Sequence, residues 1–171
     1  MVEVPGALAR IFPEALMTRS VLMTGATSQL GIFAIPRLVH AGLRVIAISR
    51  TGQPSHWPSS DSVEWLPVEQ IQSAAERCQY FLSAGPLEVA DEVLASGVRF
   101  DAVIVFSSSS VVSKRESGDP AEQAQMRGML ALEASMGETA DANDIRLTFL
   151  KPTLIYGCGL DNNVSRLAAW V

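Results

Sequence analysis

The sequence predicts an α/β protein in which a mostly parallel sheet is covered by helices on both faces, a doubly wound three-layer arrangement. Short β-rich runs alternate along the chain with longer segments of helical spacing, and this alternation is typical of such sheets. A glycine cluster directly after the first apolar run suits a sharp turn from strand to helix. With 171 residues, of which 48% are hydrophobic, the chain can build the core of one domain.

Six strands are expected, each a short apolar run bounded by turn residues. They are predicted at Val21–Thr24, Arg44–Ser49, Val63–Leu66, Tyr80–Ser83, Ala102–Ser107 and Leu147–Leu150. The strand order expected for a doubly wound sheet of this kind is 3-2-1-4-5-6.

Helical spacing is found between these strands. A first helix is expected from Leu30 to near Gly42, and two more are expected at Leu87–Ser96 and Ala121–Ala140. The last of these follows Asp119 and Pro120, a capping acid and a proline at the first helical position. Pro36 removes one backbone hydrogen bond and is expected to kink the first helix. The second connection, Gln53–Ser62, is rich in Pro and Ser and is predicted to be a surface loop instead of a helix.

The glycine cluster has the spacing of a dinucleotide-binding turn. In such a turn Gly25 would permit the sharp bend, Gly31 would let helix and strand approach, and the N–H groups at the helix start would face a pyrophosphate. A purely structural turn is the alternative. The residues predicted to form the cradle are Gly25, Thr27, Ser28, Gln29, Leu30 and Gly31.

Three stretches together resemble one superfamily. TGATSQLG (residues 24–31) resembles the T-G-A-T-G-x-L-G signature of the extended and atypical short-chain dehydrogenase/reductases, which include the NAD(P)-dependent epimerases and dehydratases. VIVFSSSSVVSK (103–114) resembles the family's fifth strand with its S-S-x-x-V-Y-G stretch, and LTFLKPTLIYGCG (147–159) is similar to its R-P-x-x-I-Y-G-P-G. The resemblance covers residues 20–165 and implies a Rossmann-type fold. Residues 20–171 would form the NAD(P)-binding domain, with a short or missing substrate region, after an extension of residues 1–19.

The end of the second strand bears on the choice of cofactor. A carboxylate there normally binds the adenosine ribose 2′-hydroxyl, but Ser49 and Arg50 stand in that place. Arginine is a planar, permanently charged phosphate binder, so the resemblance implies NADP(H) in preference to NAD(H). An exposed arginine with no ligand is the alternative. In YFLSAGP, Ala84 and Gly85 match the small-residue turn that packs under the cofactor ribose.

Further residues take their expected roles from the resemblance alone. Ser28 stands where the middle glycine of the signature usually lies, and its hydroxyl could donate to a phosphate oxygen. Ser108 stands at the catalytic Ser/Thr position. Ser107 and Lys151 are expected at the cofactor, with Lys151 in place of the arginine of R-P and Cys158 in place of the proline of the last motif.

The superfamily's proton chemistry uses a Tyr-x-x-x-Lys pair, which this chain does not contain. Its two tyrosines, Tyr80 and Tyr156, are not followed by lysine four residues on. Alignment on Glu133 places Gln125 and Met129 at the two positions of the pair, and neither side chain can act as a general base.

Three functions remain open at this point. The first is a protein that binds NADP(H) for structure or redox sensing without hydride transfer. The second is an active reductase or epimerase, with a small-molecule or sugar-nucleotide substrate, in which Ser108, Lys114 or Tyr156 replaces the missing base. The third is an interaction domain that has kept the fold and lost the ligand.

Composition argues against several other classes. A net charge of −5 without a basic cluster argues against nucleic-acid binding. The apolar runs are shorter than the ~20 residues that span a bilayer, and residues 1–19 lack a secretory signal pattern, so a cytoplasmic location is expected. Cys78 and Cys158 form no metal or redox motif and are expected to be reduced core residues. His40 and His56 are expected at a helix end and in a polar loop, without a catalytic role.

A homodimer is one further expectation. It would form through the long third helix, whose small and apolar residues could pack against a second copy or equally face the sheet. The residues in question are Met126, Met129, Leu130 and Ala134.

Overall fold

The structure, a computed structural model, describes residues 19–55, 57–114 and 118–156. The predicted N-terminal extension as far as residue 18, His56, Cys158 and the end of the third family motif lie outside the described residues. The strands are β1 (Ser20–Thr24), β2 (Arg44–Ser49), β3 (Val63–Pro67), β4 (Tyr80–Ser83), β5 (Ala102–Phe106) and β6 (Arg146–Leu150). The helices are α1 (Gln29–His40), α2 (Ile71–Ala75), α3 (Leu87–Ala95), α4 (Ser110–Ser113) and α5 (Pro120–Ala142), with a 3₁₀ turn at Val68–Gln70.

The six strands form one parallel sheet in the order β3-β2-β1-β4-β5-β6. This confirms the predicted order, and each predicted strand lies within one residue of its observed bounds. Strand β1 is central, with Leu22 opposite Ile46 of β2 on one side and opposite Phe81 of β4 on the other. The change of winding direction therefore falls at β1, beside the glycine cluster.

Both faces of the sheet are apolar, as a doubly wound fold requires. Along β1, Leu22 packs into a cluster that includes residues of α3 and α5, whereas Val21 and Met23 pack into a second cluster that includes residues of α1. This alternation follows from the two-residue period of a strand. The predicted α/β/α three-layer fold is confirmed.

The helices and loops between the strands agree with most of the predictions made for them. Ser28 caps the start of α1, and Asp119 Oδ1 accepts a hydrogen bond of 2.9 Å from the Ala121 N–H at the start of α5. No helix forms among the described residues between β2 and β3, as predicted for the Pro/Ser-rich loop. The short helices α2 and α4 were not predicted. Pro36 lies inside α1, and the kink expected there stays a prediction.

Helix α5 uses part of its predicted dimer surface to pack against the core of the same chain. Met126 is buried and Met129 packs against the core, whereas Leu130 is half-buried and Ala134 is exposed. The apolar side of the helix is therefore used largely within the subunit, and a homodimer stays a prediction.

The described residues show neither a membrane-spanning helix nor a metal cluster. Within them, no helix is both long and apolar enough to cross a bilayer. The same residues contain no group of three or more His, Cys, Asp or Glu side chains that could hold a metal ion.

Cys78 is a buried thiol, and burial raises its pKa to about 12. Because the thiolate is the reactive form, we expect iodoacetamide to leave Cys78 unmodified in the native protein at pH 8 and to modify it fully in denaturant. A Cys158→Ser background isolates this thiol, and mass spectrometry follows the reaction. Rapid alkylation of the native protein would contradict the buried position.

Candidate dinucleotide-binding site

Several predicted site residues directly follow strands at the carboxyl edge of the sheet. Gly25 follows β1, Arg50 follows β2, Ala84 follows β4, Ser107 follows β5 and Lys151 follows β6. Because the strands are parallel, their carboxyl ends lie along one edge. In open α/β sheets, ligands bind outside that edge where the strand order reverses.

The glycine loop is in contact with the turn that follows β4. Gly25 has a φ of +67°, a conformation that side chains disfavour, and a Cβ added there would lie 2.2 Å from the Ala84 carbonyl oxygen and 2.6 Å from the Gly85 nitrogen. The main chains of the two turns therefore meet without space for a side chain. This contact brings Gly25, which the sequence assigned to the glycine turn, together with Ala84 and Gly85, which it assigned to a separate turn.

A second close approach fixes the first turn of α1. A Cβ at Gly31 would lie 1.9 Å from the Ala26 carbonyl oxygen, so the helix start packs directly on the loop backbone. The Ser28 N–H donates to the Gly25 carbonyl at 2.9 Å, closing the turn. Gly25 and Gly31 therefore bring the loop and the helix N-terminus close together.

The Ser28 side chain is the N-cap of α1. Its Oγ accepts from the Gly31 N–H at 3.3 Å, which satisfies one of the N–H groups that a helix start leaves unpaired. A hydroxyl also carries one O–H donor, so capping leaves a hydrogen that can point to an anion. Thr27 is exposed, whereas Gln29 and Leu30 are half-buried in the same turn.

A buried pair of hydroxyl groups, which the sequence did not predict, supports the glycine loop at the ends of β1 and β4. Thr24 Oγ1 donates to Ser83 Oγ at 2.9 Å, and the Ala84 N–H donates to the Thr24 carbonyl at 3.0 Å. These bonds join the last residues of β1 and β4. They fix the distance between the two turns that meet at Gly25.

The end of β2 presents a cation to solvent. The Ser49 hydroxyl donates to the Gly52 carbonyl and accepts from the Thr51 N–H at 3.4 Å, so it is used within the turn. Arg50 is exposed and forms no ion pair with any residue that the structure describes.

Ser107 and Lys151 meet at one carboxylate. Glu133, on α5, is only 9% exposed. Its Oε1 accepts from the Ser107 hydroxyl, and its Oε2 accepts from Lys151 Nζ at 2.6 Å. Glu133 was not among the predicted site residues, although a glutamate on the buried side of a helix indicates a charged partner.

Of the three residues predicted as a replacement base, Ser108 and Lys114 have contacts within the protein, whereas Tyr156 is exposed. Ser108 Oγ accepts from the Ser110 N–H at 3.1 Å, and Lys114 Nζ pairs with Glu122 Oε1 at 2.6 Å. Tyr156 is 63% exposed. Tyr80 lies at the amino end of β4, opposite to the glycine loop, and its buried hydroxyl accepts a hydrogen bond from Arg19.

Comparison with solved structures identifies the fold. A candidate epimerase from Burkholderia cenocepacia J2315 has a TM-score of 0.64 and 24% identity over 84% of this chain and 57% of its own. MoeE5, solved with UDP-glucuronic acid and NAD, has a TM-score of 0.69 and 19% identity over 86% and 60%. Yeast methylglyoxal/isovaleraldehyde reductase Gre2, solved with NADPH, has a TM-score of 0.63 and 15% identity over 81% and 58%.

The chain therefore shares the Rossmann-type fold of these three proteins. It matches less than two thirds of the length of each of these three proteins. No protein-family model and no curated protein matches the sequence. At these identities, the likeness is one of fold.

Proposed function

We propose that this chain is a nicotinamide-dinucleotide-binding domain that prefers NADP(H) to NAD(H). The observation that carries the proposal is the pair of glycines, because Gly25 and Gly31 stand where a Cβ would overlap backbone atoms at 2.2 Å and 1.9 Å. Close packing of the main chain at these two glycines favours a loop in which main-chain N–H groups and a helix start can face a diphosphate. The likeness to MoeE5, solved with NAD, and to Gre2, solved with NADPH, supports the same class of cofactor.

The described residues fit the parts of such a cofactor. The amides at the start of α1 and the Ser28 hydroxyl would hold the diphosphate, and the Ala84–Gly85 turn would pack under a ribose. Arg50, exposed at the end of β2, would bind the adenosine 2′-phosphate through its planar cation. The bound cofactor supplies hydride chemistry, whereas the residues of this chain bind and orient it.

The tyrosine positions favour cofactor binding without tyrosine-based proton transfer. Tyr80 lies at the amino end of β4, and Tyr156 has leucine instead of lysine four residues on. We therefore propose a structural or redox-sensing use of NADP(H) as the main function. A cytoplasmic location stays a prediction from the sequence.

An active epimerase or reductase is the alternative, and the likeness to MoeE5, solved with UDP-glucuronic acid, supports a sugar-nucleotide substrate for it. Oxidation of NADPH or conversion of a sugar nucleotide in a broad panel would favour this alternative. A cofactor-saturated protein that turns over none of these compounds would favour the binding function.

We expect Arg50→Ala to weaken NADPH binding about tenfold or more, because one charge-assisted contact to the 2′-phosphate is lost, and to leave NADH binding unchanged. Fluorescence titration of both cofactors measures this. Arg37→Ala is the matched control, since Arg37 is an exposed arginine on α1 that donates to the Phe33 carbonyl. If neither cofactor binds the wild-type protein below millimolar concentration, the proposed function is wrong.

A further inference from the structure

The Glu133 carboxylate gives two residues at the carboxyl edge fixed hydrogen-bonding roles. A carboxylate offers acceptor sites to its partners, so Ser107 and Lys151 both donate to it. Ser107 follows β5 directly and Lys151 follows β6 directly. One carboxylate from α5 therefore ties together the ends of two neighbouring strands.

Ser107 and Lys151 each keep hydrogen-bonding capacity for a ligand after they donate to Glu133. Ser107 has a single O–H, which is used on Glu133, so its oxygen can only accept from a ligand. Lys151 has three N–H donors, and its bond to Glu133 uses one of them. The Lys151 side chain is 33% exposed, so the ammonium can be reached. The pair thus offers one acceptor and one cationic donor side by side.

The position of this pair follows from the sheet order. A dinucleotide crosses the carboxyl edge at the strand where the order reverses, with half of the molecule on each side. That strand is β1. Arg50 follows β2 on one side, whereas Ser107 and Lys151 follow β5 and β6 on the other.

We propose that Ser107 and Lys151 bind the vicinal diol of the second ribose, the one that carries nicotinamide, and that Glu133 is the residue that positions them. One ribose hydroxyl donates to Ser107 Oγ, and Lys151 Nζ donates to a ribose oxygen. A diol presents a donor and an acceptor on adjacent carbons, which matches the pair. This inference rests on the proposed function.

Calorimetric titration with three probes tests it. NADPH contains both halves of the cofactor, 2′-phospho-ADP-ribose lacks only nicotinamide, and 2′,5′-ADP contains the adenosine half alone. We expect Lys151→Met to weaken binding of the first two about tenfold and to leave 2′,5′-ADP unchanged. Arg146→Met is the control, because Arg146 is a cation at the opposite end of β6, and it should change none of the three.

A double variant separates ligand contact from folding. Lys151→Met leaves the Glu133 carboxylate without its cation, whereas Lys151→Met with Glu133→Gln removes both charges. The double variant should still bind 2′,5′-ADP normally and NADPH about tenfold more weakly than wild type. Recovery of NADPH affinity in the double variant would overturn the role of Lys151 as a ligand contact.

The remaining outcomes are distinguishable from failure of the proposed function. If the wild-type protein binds neither NADPH nor 2′,5′-ADP, the proposed function fails and this inference fails with it. If both bind and Lys151→Met leaves NADPH unchanged, only this inference is overturned. If the variant weakens NADPH and not 2′-phospho-ADP-ribose, the pair contacts nicotinamide and the assignment to the diol is wrong.

Discussion

Gly25→Ala is expected to lower the free energy of unfolding by about 3 kcal/mol or more and to abolish NADPH binding. The left-handed conformation at Gly25 costs an alanine about 1 kcal/mol. The larger cost comes from the added Cβ, which would lie 2.2 Å from the Ala84 carbonyl oxygen, so that two backbone turns have to separate. Urea denaturation measures the stability, and fluorescence titration measures the binding.

Gly42→Ala is the matched control for this prediction. Gly42 also has a positive φ, +82°, but a Cβ there meets nothing within 4 Å. The control therefore contains the conformational strain without the overlap, and we expect a loss of about 1 kcal/mol with normal binding. Equal losses in the two variants would show that the contact between the turns after β1 and β4 is not tight.

The second large effect is expected from Lys151→Met, which should lower the free energy of unfolding by about 2 to 3 kcal/mol at pH 7. Removing one partner of a buried ion pair leaves an uncompensated charge, and Glu133 is only 9% exposed. This expected loss lies at or below the range of about 3 to 5 kcal/mol for breaking a buried ion pair, because the Lys151 side chain is 33% exposed. Adding Glu133→Gln should restore most of the loss, since the buried charge is then gone.

Lys114→Met provides the exposed counterpart. Lys114 and Glu122 also form an ion pair of 2.6 Å, but their side chains are 49% and 36% exposed. Exposed pairs contribute about 0 to 1 kcal/mol, so urea denaturation should show a small change. If Lys151→Met and Lys114→Met cost the same, the burial of Glu133 does not control the stability of its pair.

The strands could be predicted because their signals are local, and their order was expected from the doubly wound fold class. Each strand is a short apolar run, and the glycine cluster after β1 marks the strand at which winding reverses. The helices α2 and α4 span only 5 and 4 residues, too few to show a helical period. Their formation depends on packing and on neighbouring turns, which a sequence pattern does not contain.

The candidate site was predictable in part for the same reason. The glycine loop and Arg50 are recognisable from their place beside a strand. The Thr24–Ser83 bond joins residues 59 positions apart, and Glu133 is 26 positions from Ser107 and 18 from Lys151. Such contacts follow from strand order and helix placement, so they appear only when the chain is folded. The one local signal was the spacing of Glu133 from Met126, Met136 and Ala140, which places all four residues on the side of α5 that is buried.

The five positions directly after β1, β2, β4, β5 and β6 lie just beyond the ends of their strands. Under the proposed function, the side chains of Arg50, Ser107 and Lys151 would determine which cofactor the molecule recognises, so changes of selectivity could accumulate there one residue at a time. Gly25 is different, because its constraint is imposed by the backbone of a neighbouring turn. Under that function, ligand preference could diverge at the flanks of this sheet, whereas the backbone contact at Gly25 would hold its centre constant.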